Sequence, residues 1–175
     1  MAIAVVSRCT LRALGFQTLL EAEGYSPCWI ARTAADALCR CREHLPAWLL
    51  LDFALPDSSG PRLLHQLRLT HPALEGIVIL DELHPAFLAL AERAGARAAL
   101  WSGLPLSVLR ERLRAALEGR RTWSPGALRI VQGWWARYGD PWGSLSSRQR
   151  AVALGVARGW SDKEIAQALR LRPAS

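Results

Sequence analysis

Between residues 1 and 120 the chain alternates five short apolar runs with five longer amphipathic ones, and this restricts the fold more than any other feature. The apolar runs are Ala2–Val6, Pro27–Ile30, Trp48–Asp52, Ile77–Leu80 and Ala98–Trp101. Each is too short for a helix, so each predicts a strand. The segments between them, Leu11–Glu23, Thr33–Glu43, Pro61–Thr70, Pro85–Ala94 and Pro105–Glu118, repeat apolar residues at helical spacing. Thr10 and Thr33 stand at two helix starts and prolines near the first turn of the other three. Gly24, Gly95 and Gly119 fall where helices should stop. Strict alternation of this kind implies an α/β fold, a parallel sheet with helices on both faces.

Crossovers between parallel strands are right-handed, which leaves few sheet orders. The flavodoxin-like order 2-1-3-4-5, a doubly wound five-stranded sheet, is the leading choice. It sets the carboxyl ends of the first, third and fourth strands side by side, and chemistry is expected at that edge.

Beyond residue 120 the composition changes. Residues 1–120 carry a net charge of +1 and residues 121–175 a net charge of +6. A near-neutral domain followed by a basic one suggests that the second part meets a polyanion. Residues 121–143 hold Trp123, Trp134, Trp135 and Trp142, with a short helix from Ala127 to Tyr138. This segment is expected to be a linker that packs its aromatics on a neighbouring domain or offers them to a partner. In residues 144–175, Ser146 and Ser147 can cap a helix running to about Arg158. Gly159 ends it, and Ser161 caps a second helix that carries Ile165, Ala166 and Leu169 inward. Two short helices joined by a glycine-containing turn read as the opening of a helix-turn-helix, a small all-α segment after the sheet domain.

Several function classes are set aside. Hydrophobic content of 51 % with 21 % charged residues marks a folded soluble chain. No apolar run approaches the ~20 residues that cross a bilayer, and the N-terminus lacks a basic leader, so a cytoplasmic location with no membrane partner is expected. Cys9, Cys28, Cys39 and Cys41 form no metal-ligand spacing and are expected to be reduced and mostly buried. His44, His65, His71 and His84 fall on or beside helices. There is no phosphate-binding glycine loop and no nucleophile elbow, so no enzyme, metal or cofactor is expected.

The residues themselves resemble a known family, the bacterial response regulators of the LuxR/NarL type. Leu50-Leu51-Asp52-Phe53-Ala54-Leu55-Pro56-Asp57-Ser58-Ser59-Gly60 is similar to the family's third-strand pattern, an Asp followed by x-x-x-Pro-x-x-x-Gly. Gly95-Ala96-Arg97-Ala98-Ala99-Leu100 is similar to its lead into the fifth strand. Leu145-Ser146-Ser147-Arg148-Gln149 and Gly159-Trp160-Ser161-Asp162-Lys163-Glu164-Ile165-Ala166 look like the first two helices of its DNA-binding domain. The resemblance implies a receiver domain over 1–120, a linker over 121–143 and the N-terminal part of the DNA-binding domain over 144–175.

It also implies that Asp52 holds the phosphoacceptor position, where a carboxylate would attack phosphorus with a divalent ion present. The family's acidic pair after the first strand is here Ser7 and Arg8. Its Thr or Ser after the fourth strand is Asp81, and its Lys after the fifth is Ser102. The receiver therefore reads as degenerate, with the Arg8 guanidinium expected between Asp52 and Asp81 in place of the ion. Ser175 falls at the start of the family's recognition helix, so the sequence is expected to be a shortened form. Arg148, Arg150, Lys163, Arg170 and Arg172 remain as candidate phosphate contacts. The expected function is a DNA-binding transcription regulator controlled without phosphorylation. It would act as a homodimer or through a regulatory protein or small ligand, with the four tryptophans and Arg110, Glu111, Arg112 and Arg114 as candidate contacts. The alternative is a receiver-like protein-interaction module that does not bind DNA.

Overall fold

The computed structural model describes residues 1–120, 122–139, 144–157 and 161–169. Among the described residues five strands and eight helices follow in order: β1 (Ile3–Val6), α1 (Thr10–Ala22), β2 (Pro27–Ala31), α2 (Ala34–Glu43), β3 (Trp48–Asp52), α3 (Gly60–Thr70), β4 (Glu75–Leu80), α4 (Pro85–Arg93), β5 (Ala98–Trp101), α5 (Leu106–Leu117), α6 (Pro125–Tyr138), α7 (Ser147–Ala157) and α8 (Asp162–Ala168). All neighbouring strands pair in parallel, in the order β2-β1-β3-β4-β5. This is the doubly wound arrangement that the alternation implies.

The strands alternate their side chains between two buried faces. Ile3, Val5, Leu50, Ile77 and Ile79 pack with Ala13, Phe16 and Leu20 of α1 and Leu109, Leu113 and Ala116 of α5. The intervening residues Ala4, Val6, Leu49, Leu51, Val78 and Leu80 are equally buried. A sheet covered on both faces explains why β3 and β4 read as continuous apolar runs.

Helix ends follow the local chemistry. Thr33 Oγ1 accepts from Asp36 N at 3.0 Å, and Ser59 Oγ accepts from Arg62 N at 3.4 Å, each satisfying an orphan N–H. Thr10, expected before the first helix, is its first residue; Cys9 precedes it without a side-chain cap. Gly24, Gly95 and Gly119 adopt φ of 81°, 77° and 78°, the left-handed region glycine enters without steric cost.

All four cysteines are free, but the expectation that they are mostly buried fails: only Cys41 is buried. Cys28 lies on the edge strand β2. Cys39 and Cys41 are two residues apart on α2, so they point to opposite sides of the helix. Burial, with the nearby Cys28 as a second cause, holds the Cys41 thiol up at about 11.

The chain divides into two compact units, Met1–Trp134 and Trp135–Ser175. The first therefore takes in much of the segment read as a linker. Trp123 Nε1 donates to Ala96 O at 2.9 Å, Thr122 Oγ1 donates to Arg97 O at 2.9 Å, and Val131 of α6 is buried. In the second unit, Ser146 Oγ accepts from Gln149 N at 3.3 Å while Gln149 Oε1 accepts from Ser146 N at 2.8 Å. Ser161 and Glu164 form the same reciprocal box at α8. Ile165 is buried, with Ala166 and Leu169 half-buried beside it.

Candidate functional site

The carboxyl ends of β1, β3 and β4 meet where the sheet order reverses direction, and the acidic residues gather there. Asp52, the last residue of β3, is only 1 % exposed. Its Oδ2 accepts from Ser7 Oγ at 2.6 Å and from the Arg8 backbone N at 3.2 Å. Its Oδ1 accepts from Arg12 Nη1 at 3.0 Å. The other arm of the same guanidinium, Nη2, lies 2.5 Å from Asp81 Oδ1. Burying a carboxylate is costly unless its oxygens find hydrogen-bond partners, and here both oxygens carry donors.

The cation between the two carboxylates is thus Arg12, and the expectation that Arg8 fills this place is corrected. Arg8 follows β1 in a bend, where its backbone N–H faces Asp52 while its side chain stays 53 % exposed and reaches Asp81 Oδ2 only at 3.7 Å. Arg12 is the third residue of α1. Helical side chains lean toward the helix N-terminus, so a long residue in the first turn reaches back over the strand ends. Burial works against the Arg12 charge, but its bonds to Asp52 and Asp81 more than offset this, and its pKa is raised.

Mg²⁺ is the ion that receiver chemistry calls for, and the donor set does not fit it. An octahedral oxygen site needs carboxylates free to coordinate, whereas Asp52 and Asp81 share a bidentate guanidinium. A divalent ion within ~4 Å of that guanidinium would meet a repulsion of about 8 kcal/mol at an effective dielectric near 20. Among the described residues no group of three or more His, Cys, Asp and Glu comes together as a metal site.

Ser7, Arg8, Asp52 and Asp81 are brought together as the motif order requires. Ser102 is not part of the cluster: it is exposed, and its backbone N–H donates to Leu80 O at 2.9 Å. Its predecessor Trp101 donates Nε1 to Asp81 O at 3.1 Å, fixing the turn after β4. Asp57, in the loop after β3, has a structural role. Its two oxygens accept from Ala34 N at 2.8 Å and Ala35 N at 2.9 Å, so it caps α2 from the β3–α3 loop. Burial disfavours its charge, yet these backbone bonds prevail and its pKa is lowered.

The expected contact residues are distributed differently. Arg110 and Arg114, expected to face a partner, are engaged inside the domain with Glu23 at the end of α1. Arg110 reaches Glu23 Oε1 at 2.8 Å, and Arg114 reaches Oε2 at 2.6 Å. These bonds, Arg114 first and Arg110 second, hold Glu23 near a pKa of about 2. Glu111 and Arg112 are exposed. Trp123 and Trp134 belong to the first unit, Trp135 is half-buried, and Trp142 lies outside the described residues. Arg148 and Lys163 are exposed and Arg150 is half-buried; Arg170 and Arg172 also lie outside the described residues.

Sheet order, the Asp at the end of β3 and a loop closed back on it define the receiver class of α/β domain. The comparisons with known proteins point to response regulators of the LuxR/NarL type within it. The chain is 24 % identical over 140 residues to the transcriptional regulatory protein DesR of Bacillus subtilis, covering 80 % of this chain and 66 % of DesR. It is 26 % identical over 160 residues to the response regulator GacA of Pseudomonas aeruginosa, covering 89 % and 74 %. It thus spans about two thirds to three quarters of the length of these relatives. A LuxR-family response regulator from Aurantimonas sp. SI85-9A1 superposes with a TM-score of 0.68 at 24 % identity, over 77 % of this chain and 97 % of that one. RcsB, in a structure of two dimers bound to two parallel DNAs, gives 0.68 at 18 % identity, over 98 % and 84 %. No family model matches the chain.

Proposed function

We propose that this chain belongs to a DNA-binding transcription regulator whose receiver is not switched by phosphorylation of Asp52. The observation that carries the reading is the Arg12 guanidinium bonded to both Asp52 and Asp81, at 3.0 and 2.5 Å. It occupies the space and the charge role that receiver chemistry gives to an ion. In-line attack on phosphorus needs an available carboxylate oxygen and a neutralising cation beside the phosphoryl group. Here both oxygens are engaged and the cation has no vacant coordination position.

DNA as the partner is supported by the +6 charge after residue 120, by the two capped helices α7 and α8, and by exposed Arg148 and Lys163. RcsB, similar in fold over nearly the whole chain, is bound to DNA as a dimer. For this chain a homodimer is supported by α1. Leu11 and Leu14 are 80 % and 52 % exposed, and with Gly15, Thr18 and Ala22 they make an uncharged outer stripe. Regulation would then run through assembly or a bound partner, in a cytoplasmic protein that is not an enzyme.

The test is duplex binding by the full-length gene product, titrated with salt and with and without a phosphodonor. The reading expects affinity to fall steeply with salt, since neutralised phosphates release counterions, and to be indifferent to the donor. Binding that appears only with the donor would overturn it. Undetectable binding at every salt concentration would favour a module that meets only protein.

A further inference from the structure

The residue after Asp52 begins a series of ring contacts that the site does not use. The Phe53 ring lies against Phe87 of α4, with centroids 4.4 Å apart and planes at 34°. Phe87 in turn meets His84, the residue before α4, at 5.2 Å and 49°. His84 receives Trp134 of α6 edge-on, at 5.8 Å and 71°. Three successive contacts therefore run from the end of β3, across the start of α4, to α6.

These rings stand apart from the buried core. Phe53, Phe87 and Trp134 are half-buried and His84 is exposed, so the series lies along the surface at the carboxyl edge. Each member is fixed by something other than the next ring. Phe53 N donates to Ile79 O and Phe53 O accepts from Gly60 N, both at 2.8 Å. His84 Nδ1 accepts from Ala86 N at 3.2 Å and so caps α4. Helix α6 is secured at its other end, by Thr122 and Trp123 on the α4–β5 loop. Trp123, just before α6, thus meets the α4–β5 loop, and Trp134 within it meets the start of α4. The far end of α6 continues into Trp135, where the second unit begins.

We propose that Phe53, Phe87, His84 and Trp134 form a mechanical coupling between the end of β3 and helix α6. A change at the Asp52 edge would be felt by the helix that leads into the second unit. Offset and edge-on ring pairs have preferred geometries, so moving one ring disturbs the next. The coupling goes beyond the functional reading and stands whether or not the protein binds DNA. Coupling energy along a contiguous series of contacts is measured by a double-mutant cycle.

The measurement is amide hydrogen exchange on the whole chain, read over Leu128–Tyr138, for Phe53→Leu, Trp134→Leu and the double variant. Phe53 and Trp134 are separated by two intervening rings. Loss of one aromatic pair corresponds to roughly 2- to 12-fold faster exchange if α6 opens locally. The proposal expects each single variant to speed exchange in α6 by such a factor, and the double variant to fall short of the product of the two. The amides of β1 and β3 should keep their protection throughout. If Phe53→Leu also loosens β1 and β3, Phe87→Leu takes its place in the cycle with the same criteria. Exchange in α6 that responds to Trp134→Leu but not to the Phe53 or Phe87 change would overturn the proposal, as would effects that simply multiply.

Discussion

At the scale of single residues, Asp52 is governed by its immediate neighbours. Gly60 shows how tightly the loop closes on it: a Cβ added there would stand 2.2 Å from the Asp52 backbone oxygen. This gives a physical reason for a glycine eight positions after the aspartate. Gly60→Ala is expected to destabilise the domain by about 2 kcal/mol or more, since the obstacle is backbone and cannot rotate aside. Urea unfolding of the two proteins checks this, and equal midpoints would contradict it. The aspartate, Ser7 and Asp81 were legible in the sequence because the family resemblance marks those positions and the sheet order sets their strand ends side by side. Arg12 was not, because its role depends on the reach of a helical side chain back over the strand ends. The signal that could have found it is a basic residue in the first turn after β1. Asp57 was opaque for a related reason: its partners Ala34 and Ala35 are over twenty positions away, and nothing in sequence spacing links a loop carboxylate to a distant helix start.

At the scale of elements, the strands and helices followed directly from apolar periodicity, and their ends from prolines, glycines and capping residues. What periodicity could not give is which exposed charges are committed inside the domain. Arg110 and Arg114 read on sequence as exposed contacts for a partner. The structure turns them onto Glu23, tying the end of α1 to α5. Glu23 is lowered from an ordinary 4.5 to about 2. A carboxylate whose folded pKa is depressed contributes stability that is present above its unfolded pKa and is lost as pH falls toward the folded one. Wild type and Glu23→Gln should therefore differ in denaturant midpoint at about pH 6 and converge on approaching about pH 2. A difference that stays constant over this window would show that the Glu23 charge is not the cause. The same α1 presents Leu11 and Leu14 outward, a pattern in which a helix is apolar on more than its core-facing side.

At the scale of the whole molecule, a salt-bridged cluster at the sheet edge precedes a basic second unit in the chain. Assembly through α1 predicts that Leu11→Glu with Leu14→Glu shifts sedimentation toward the monomer without changing the unfolding free energy of the chain by more than about 0.5 kcal/mol, since exposed positions carry little folding energy. If wild type and variant sediment alike at every concentration, α1 is not the contact. If Arg12 holds the place of the ion, Asp52 should not accept a phosphoryl group. The protein is incubated with acetyl phosphate and Mg²⁺, and its intact mass is recorded beside that of an Arg12→Ala variant. The wild-type chain is expected to keep its mass; a stoichiometric gain of one phosphoryl group, mapped to Asp52, would show that Arg12 does not replace the ion.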